Sequence, residues 1–184
     1  MQNEIIHAFL KEIIASPWRD ISIDSVARNH SLPKDMVEKH VPRPMDFFGV
    51  FTKLIESHVY EALASASIEI YKEKDKVTEV LMTKFEAMHP YKYFYAHIKN
   101  HLFDSADVSF TLALEEYNAL ARLLRRYVFI RENMLDRLKI KGLYGIYALA
   151  VEAWVKDDTP DLSVTLETID NLLRKGETFL ERYQ

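Results

Sequence analysis

Apolar residues recur at three- and four-residue intervals almost from the start of the chain. Ile5, Ile6, Phe9, Leu10, Ile13 and Ile14 share one stripe, which predicts an amphipathic helix over about 3–15. Two shorter helical patterns follow. The first opens at Ser22, whose hydroxyl is suited to the unpaired amides of a helix start, and turns Ile23, Val26 and Ala27 inward. The second begins around Pro33, a residue favoured at a first helical position, and faces the same small core through Val37 and Val41. Asn29, His30 and Ser31 supply the break between them, so residues 21–41 have the layout of a helix-turn-helix. The apolar run of Phe47, Phe48, Phe51, Leu54 and Ile55 then starts a helix that closes the core.

The helical period persists downstream and predicts helices over about 44–72, 75–88, 91–102, 108–130, 133–156 and 160–182. No repeat, low-complexity segment or strand-like alternation interrupts it. No cluster of breakers marks residues 57–63, so the first of these helices is expected to run unbroken across any domain boundary there. In the last helix Leu162, Leu166, Ile169, Leu173, Gly176 and Leu180 recur at three and four residues. With Leu172 and Phe179 they form a stripe wide enough for both an internal core and a partner helix. The preceding helix carries Gly142, Gly145 and Ala148, small residues that allow another helix to approach closely. Between the two, Asp157-Asp158-Thr159-Pro160-Asp161 reads as a stop, a turn and a new start with acid at the positive helix end.

Composition narrows the classes. The 184 residues, 48% hydrophobic and 12% aromatic, make one extended or two small domains with ample core. Four glycines leave no glycine-rich loop to hold a nucleotide phosphate. The absence of cysteine removes disulfides, thiolate nucleophiles and thiolate metal sites, and agrees with a reducing compartment. The longest uninterrupted apolar run, residues 142–151, falls far short of the ~20 needed to span a bilayer. No basic leader begins the chain, so a cytoplasmic protein without a transmembrane segment is expected. With no Gly-x-Ser-x-Gly and no phosphate loop, neither an enzyme nor a cofactor is expected.

In order and spacing, residues 3–58 resemble the N-terminal DNA-binding domain of the TetR family of transcriptional regulators. That family's signature runs from a Ser or Thr opening the second helix, through Ala and Gly-Val in the turn, to Tyr-x-His-Phe closing the third. Ser22, Ile23, Val26, Ala27, Leu32, Lys34, His40, Val41 and Pro42 fall on matching places. The turn glycine is replaced by Ser31, which lacks glycine's easy access to positive φ, and the tyrosine by Glu38. The resemblance implies an all-α homodimer with a helix-turn-helix domain over 1–45 and a ligand-binding and dimerisation domain over 46–184. It also implies a regulator, expected to be a repressor, that binds a double-stranded DNA operator and is released by a hydrophobic small molecule.

Residue by residue, the resemblance assigns Ser22, Lys34, Lys39 and Arg43 to phosphate contact, Met36 and Lys39 to base edges, and His40 to the backbone nearby. For the ligand it points to Tyr91, Phe94, Tyr95, Phe110, Tyr117 and Tyr127 on the middle helices. For the dimer it points to Gly142, Gly145, Leu166, Ile169, Leu173 and Leu180. Charge argues the other way. Residues 1–58 carry seven Lys or Arg against eight Asp or Glu, a net of −1, where a DNA-binding module usually has a clear positive footprint. Asp35 and Glu38 add acid to the recognition helix itself.

A second resemblance rests on Ala153-Trp154-Val155-Lys156-Asp157-Asp158-Thr159-Pro160-Asp161, which is similar to part of the TetR-fold lipid-binding accessory proteins of ubiquinone biosynthesis. It implies a lipid or isoprenoid carrier that has lost DNA binding. Two smaller patterns remain. His97, His101 and Asp104 sit at metal-ligand spacing on one helical face, although histidines at a solvated helix end explain them more simply. Arg122, Arg125, Arg126 and Arg131 offer either a seat for an acidic head group or a solvated face pairing with Glu115, Glu116 and Glu132.

Overall fold

Regular structure in the computed structural model is helical throughout the described residues, which are 1–66, 68–101, 105–129 and 134–181, without the side chains of residues 69 and 177–181. In chain order the helices are α1 (Gln2–Ala15), α2 (Ile23–Asn29), α3 (Lys34–His40), α4 (Phe47–Ala64), α5 (Glu73–Met88), α6 (Lys92–Asn100), α7 (Ala106–Tyr127), α8 (Met134–Lys156) and α9 (Ser163–Glu181). They divide into two compact units. The first comprises Met1–Leu54 and Tyr91–Glu116, and the second Ile55–Pro90 and Tyr117–Gln184. Helices α4 and α7 each contribute residues to both.

The first unit is built on the predicted stripe of α1, where Ile5, Ile6, Phe9, Leu10 and Ile13 are buried. Against it pack Ile23, Val26 and Ala27 of α2, and Val37 of α3. The phenylalanine run at the start of α4 extends this core as an aromatic stack. Phe47 stacks on Phe9 at 5.1 Å and on Phe51 at 5.6 Å, while Phe51 meets Tyr91 and Phe94 edge-on at 5.1 and 5.2 Å. Face and edge carry opposite partial charge, so both arrangements are attractive. The Tyr95 hydroxyl donates to Glu116 Oε1 at 2.8 Å, which satisfies two buried polar groups together. Burial, then the neighbouring Glu116 carboxylate, push the Tyr95 pKa well above its ordinary value.

In the second unit Phe85 of α5 stacks on Tyr147 of α8 at 5.4 Å and meets Trp154 at a tilt at 5.5 Å. Helices α8 and α9 pack along each other, and Ile169 and Leu173 of α9 are buried. Glu56, 5% exposed, takes a two-pronged ion pair from Arg122 at 2.9 and 2.7 Å and a hydrogen bond from the Tyr60 hydroxyl at 2.9 Å. Burial alone would raise the Glu56 pKa, but these partners overcome it and hold it low. Arg122 thus pairs with a carboxylate of α4, a partner with no sequence-local signal.

The junction between α8 and α9 closes on Asp157, 1% exposed. One carboxylate oxygen accepts from the Thr159 amide and hydroxyl, the other from the Thr165 amide and hydroxyl at 2.8 and 2.7 Å. The run that resembles the lipid-binding accessory proteins is therefore a helix joint here, with Trp154 fully buried beside it.

Two of the helix boundaries that depart from expectation have a clear local cause. The helix predicted over 44–72 ends at Ala64. Ser65 Oγ donates to the Ala62 carbonyl at 2.9 Å, and the Ala66 amide bonds only three residues back, to Leu63, at 3.2 Å. A serine hydroxyl competing for carbonyls in this way favours helix ends over helix interiors. Helix α9 begins at Ser163 instead of residue 160, because Leu162 takes a positive φ of 53° that a helix does not accept.

Candidate nucleic-acid interface

The helix-turn-helix forms where the apolar pattern places it. Ser22 and Ser25 cap α2 reciprocally: the Ser25 amide donates to Ser22 Oγ at 3.0 Å and the Ser22 amide to Ser25 Oγ at 2.9 Å. At the other end the Leu32 amide reaches the Ala27 carbonyl at 2.8 Å and the Ser31 amide the Arg28 carbonyl at 3.4 Å. Those paired bonds are a Schellman closure, which requires one left-handed residue just past the helix. Ser31 is that residue, with φ 54°. A side chain therefore sits where glycine would be unstrained.

The turn is also fastened from outside the motif. Glu12, on the inward stripe of α1 and 7% exposed, accepts from Asn29 Nδ2 at 3.0 Å and from His30 Nε2 at 3.1 Å. Sequence reasoning missed this carboxylate. Its signal was its position, three residues after Phe9 on the buried face of α1, where an acid needs a partner.

Helix α3 points away from the core that holds it. Val37 alone is buried, Met36 and His40 are half-buried, and Lys34, Asp35, Glu38 and Lys39 are exposed. His40 Nδ1 donates to the Met36 carbonyl at 2.9 Å, which fixes its ring over the last turn of α3. The cations of this surface are unequally available. Lys34 Nζ lies 2.9 Å from Asp24 and 3.6 Å from Glu38, and the Asp24 hydrogen bond raises its pKa. Arg43 forms a fork with Asp46 at 3.0 and 2.7 Å, while its amide donates to the same carboxylate at 3.1 Å. That bond lowers the Asp46 pKa and raises the Arg43 pKa. Lys39 has no ion pair among the described residues.

No family model matches this sequence, and no curated protein matches it. Solved structures do. One similar chain is a TetR transcriptional regulator from Nitrosomonas europaea, 11% identical, with a TM-score of 0.68 over 95% of this chain and 97% of the other. The fold is TetR-like. At that identity the likeness lies in the path of the backbone.

Within the TetR-like fold the remaining residue sets fall as follows. Tyr91, Phe94 and Tyr95 come together in the first unit, in the stack with Phe47 and Phe51, while Phe110 stands 69% exposed. Tyr117 and Tyr127 belong to the second unit, against Tyr144 at 5.4 Å and Tyr60 at 6.1 Å respectively. Burial, then the bond to Glu56, push the Tyr60 hydroxyl up to about 12.

The residues expected at a dimer contact also separate. Gly142, Gly145 and Leu166 are exposed, and a Cβ added at either glycine meets nothing within 4 Å. Ile169 and Leu173 face the core of their own unit, and the Leu180 side chain lies outside the described residues. His97 and His101 pair with ring centroids 4.5 Å apart at the end of α6. Asp104 lies outside the described residues. Among those described, no group of three metal-ligating side chains assembles, and no helix is long and apolar enough to cross a membrane.

Proposed function

We propose that this chain is a homodimeric, non-catalytic transcription regulator that binds an operator through α3 and is released by a hydrophobic small molecule. The observation that carries this reading is the outward presentation of α3. It is anchored by Val37, held at its turn by Ser31 and Glu12, and set in a fold shared with a TetR transcriptional regulator. Lys39 is the principal phosphate cation and, with Met36, the group nearest a base edge. Ser22 keeps its hydroxyl proton for a phosphate, because its oxygen is the acceptor in the cap. Lys34 and Arg43 reach phosphate while shared with their carboxylate partners, and His40 lies close to the same backbone. The dimer forms through the exposed small and apolar face of α8, with Leu166 of α9 beside it. It places two copies of α3 in successive major grooves, ~34 Å apart.

A gel shift with the DNA upstream of the chain's own reading frame, at 50 to 200 mM salt, tests this. A dimer touching about six phosphates loses about a thousandfold in affinity across that range. Absence of a shift at the lowest salt, on that fragment and on sheared genomic DNA, refutes the regulator.

A second reading has its own support in the neutralised head surface. The net charge of −1 over residues 1–58 and the carboxylates on Lys34 and Arg43 suit a TetR-fold protein that carries a lipid or isoprenoid and leaves DNA alone. Solvent extraction of a co-purified lipid, with no shift on any DNA, selects it.

A further inference from the structure

Val37 pins α3 to its core, and the helical screw fixes where the other side chains stand. At about 100° per residue, Asp35 and Lys39 lie on the side directed away from Val37, each about 160° round from it. Lys34 and Glu38 fall on one flank, where Lys34 Nζ reaches Asp24 of α2 at 2.9 Å and Glu38 at 3.6 Å. Met36 and His40 fall on the other, joined by the bond from His40 Nδ1 to the Met36 carbonyl. The outermost ridge of α3 is thus one acid and one base, both exposed. Neither is engaged within the protein. Among the described residues Asp35 accepts no hydrogen bond and forms no ion pair, and Lys39 forms no ion pair.

The ridge opposite the anchor is the part of a helix that enters a groove most deeply, and the N-terminal residues of a recognition helix are those that meet base edges. Asp35 stands in the first turn of α3. An ionised carboxylate accepts hydrogen bonds and donates none. In the major groove guanine and thymine present no donor, which leaves the amino groups of cytosine and adenine. Adenine carries the N7 acceptor beside its amino group, and that lone pair repels a carboxylate. We infer that Asp35 is a specificity-determining residue, accepting a hydrogen bond from the N4 amino group of a cytosine in each half-site. The inference rests on the operator-binding reading and adds a base to it. Lys39, one turn along the same ridge, holds a neighbouring phosphate and offsets the repulsion that the carboxylate meets there.

The test selects duplexes with a randomised central segment on the full-length protein at low salt and sequences those retained. The wild-type protein should enrich a fixed cytosine in each half-site, and replacing that base should weaken binding about tenfold in fluorescence anisotropy. Asp35→Asn should move the preference at that position to adenine, because an amide accepts from N6 and donates to N7. Asp35→Ala should lose the preference there and bind unselected duplex more tightly, since a charge that repels phosphate has gone. Glu38→Gln, on the flank, should keep the cytosine. A carboxylate that only steadied the start of α3 would change affinity for all sequences together and leave the preferred bases alone. If wild-type and Asp35→Asn proteins enrich the same bases at every position, the inference falls and the regulator stands. Retention without enrichment of any base also overturns it, and if no duplex is retained at all, both readings fall together.

Discussion

Ser31 shows how a single residue carries both a fold signal and its cost. An L side chain in the left-handed region loses about 1 kcal/mol to the crowding of its Cβ. Ser31→Gly is therefore expected to stabilise the chain by up to about 0.5 kcal/mol after glycine's extra chain entropy of about 0.5–1 kcal/mol is deducted, raising Tm by up to roughly 1–2 °C. Ser31→Val should lower it. A thermal melt followed by circular dichroism decides both. Asp157 makes a pH-dependent case. Burial opposes its charge, but the hydrogen bonds from Thr159 and Thr165 prevail and bring its pKa to about 2. The folded value lies below the unfolded value near 4, so its stabilisation is present above about pH 4 and disappears as pH falls towards 2. Asn has one acceptor oxygen where two Thr residues each need one. Asp157→Asn should thus cost about 1–2 kcal/mol at pH 6 in urea unfolding, with the gap to wild type closing below pH 4. The break at residues 29–31 was legible in the sequence. The partner that secures it was not, because Glu12 and His30 lie eighteen residues apart and only the packing of α1 on α2 joins them.

Among the elements, α3 was found by its apolar pattern, since Val37 and Val41 on one side define a helix and leave the other side outward. What that outward side can attract depends on pairing in space. Lys34 reads as a phosphate cation in sequence, yet Asp24 from α2 and Glu38 from the next turn divide its charge. Glu38→Gln removes one of these acids and a local repulsion, so it should tighten binding to any duplex several-fold at low salt. Lys39→Ala should weaken binding evenly across sequences and reduce the salt slope by about 1, as measured by fluorescence anisotropy on two unrelated duplexes. Helix ends were read less well than helix faces. Period alone carried the prediction over 44–72 past Ala64, because the competing hydroxyl of Ser65 is a local hydrogen-bonding effect that leaves the apolar spacing intact.

For the whole molecule, the all-α class was legible because long stretches with few breakers admit little else, and the TetR-like arrangement was legible from the resemblance of residues 3–58. The division of labour within the last helix was not legible. The α9 stripe mixes residues that face their own core, such as Ile169 and Leu173, with Leu166, which faces outward, and one-dimensional spacing does not distinguish them. The structure-guided expectation is a division of effects. Gly145→Arg, on an open face of α8, should convert a dimer to monomers in sedimentation velocity while leaving the melt of each subunit's fold nearly unchanged at low concentration. Leu173→Ala should instead cost about 2–4 kcal/mol through the cavity it leaves. One more consequence concerns transplantation. Since the turn between α2 and α3 is moored to Glu12 on a preceding helix, grafting residues 22–41 onto a foreign scaffold would carry over the outward face of α3 and lose its aim, unless the acid of α1 travels with it.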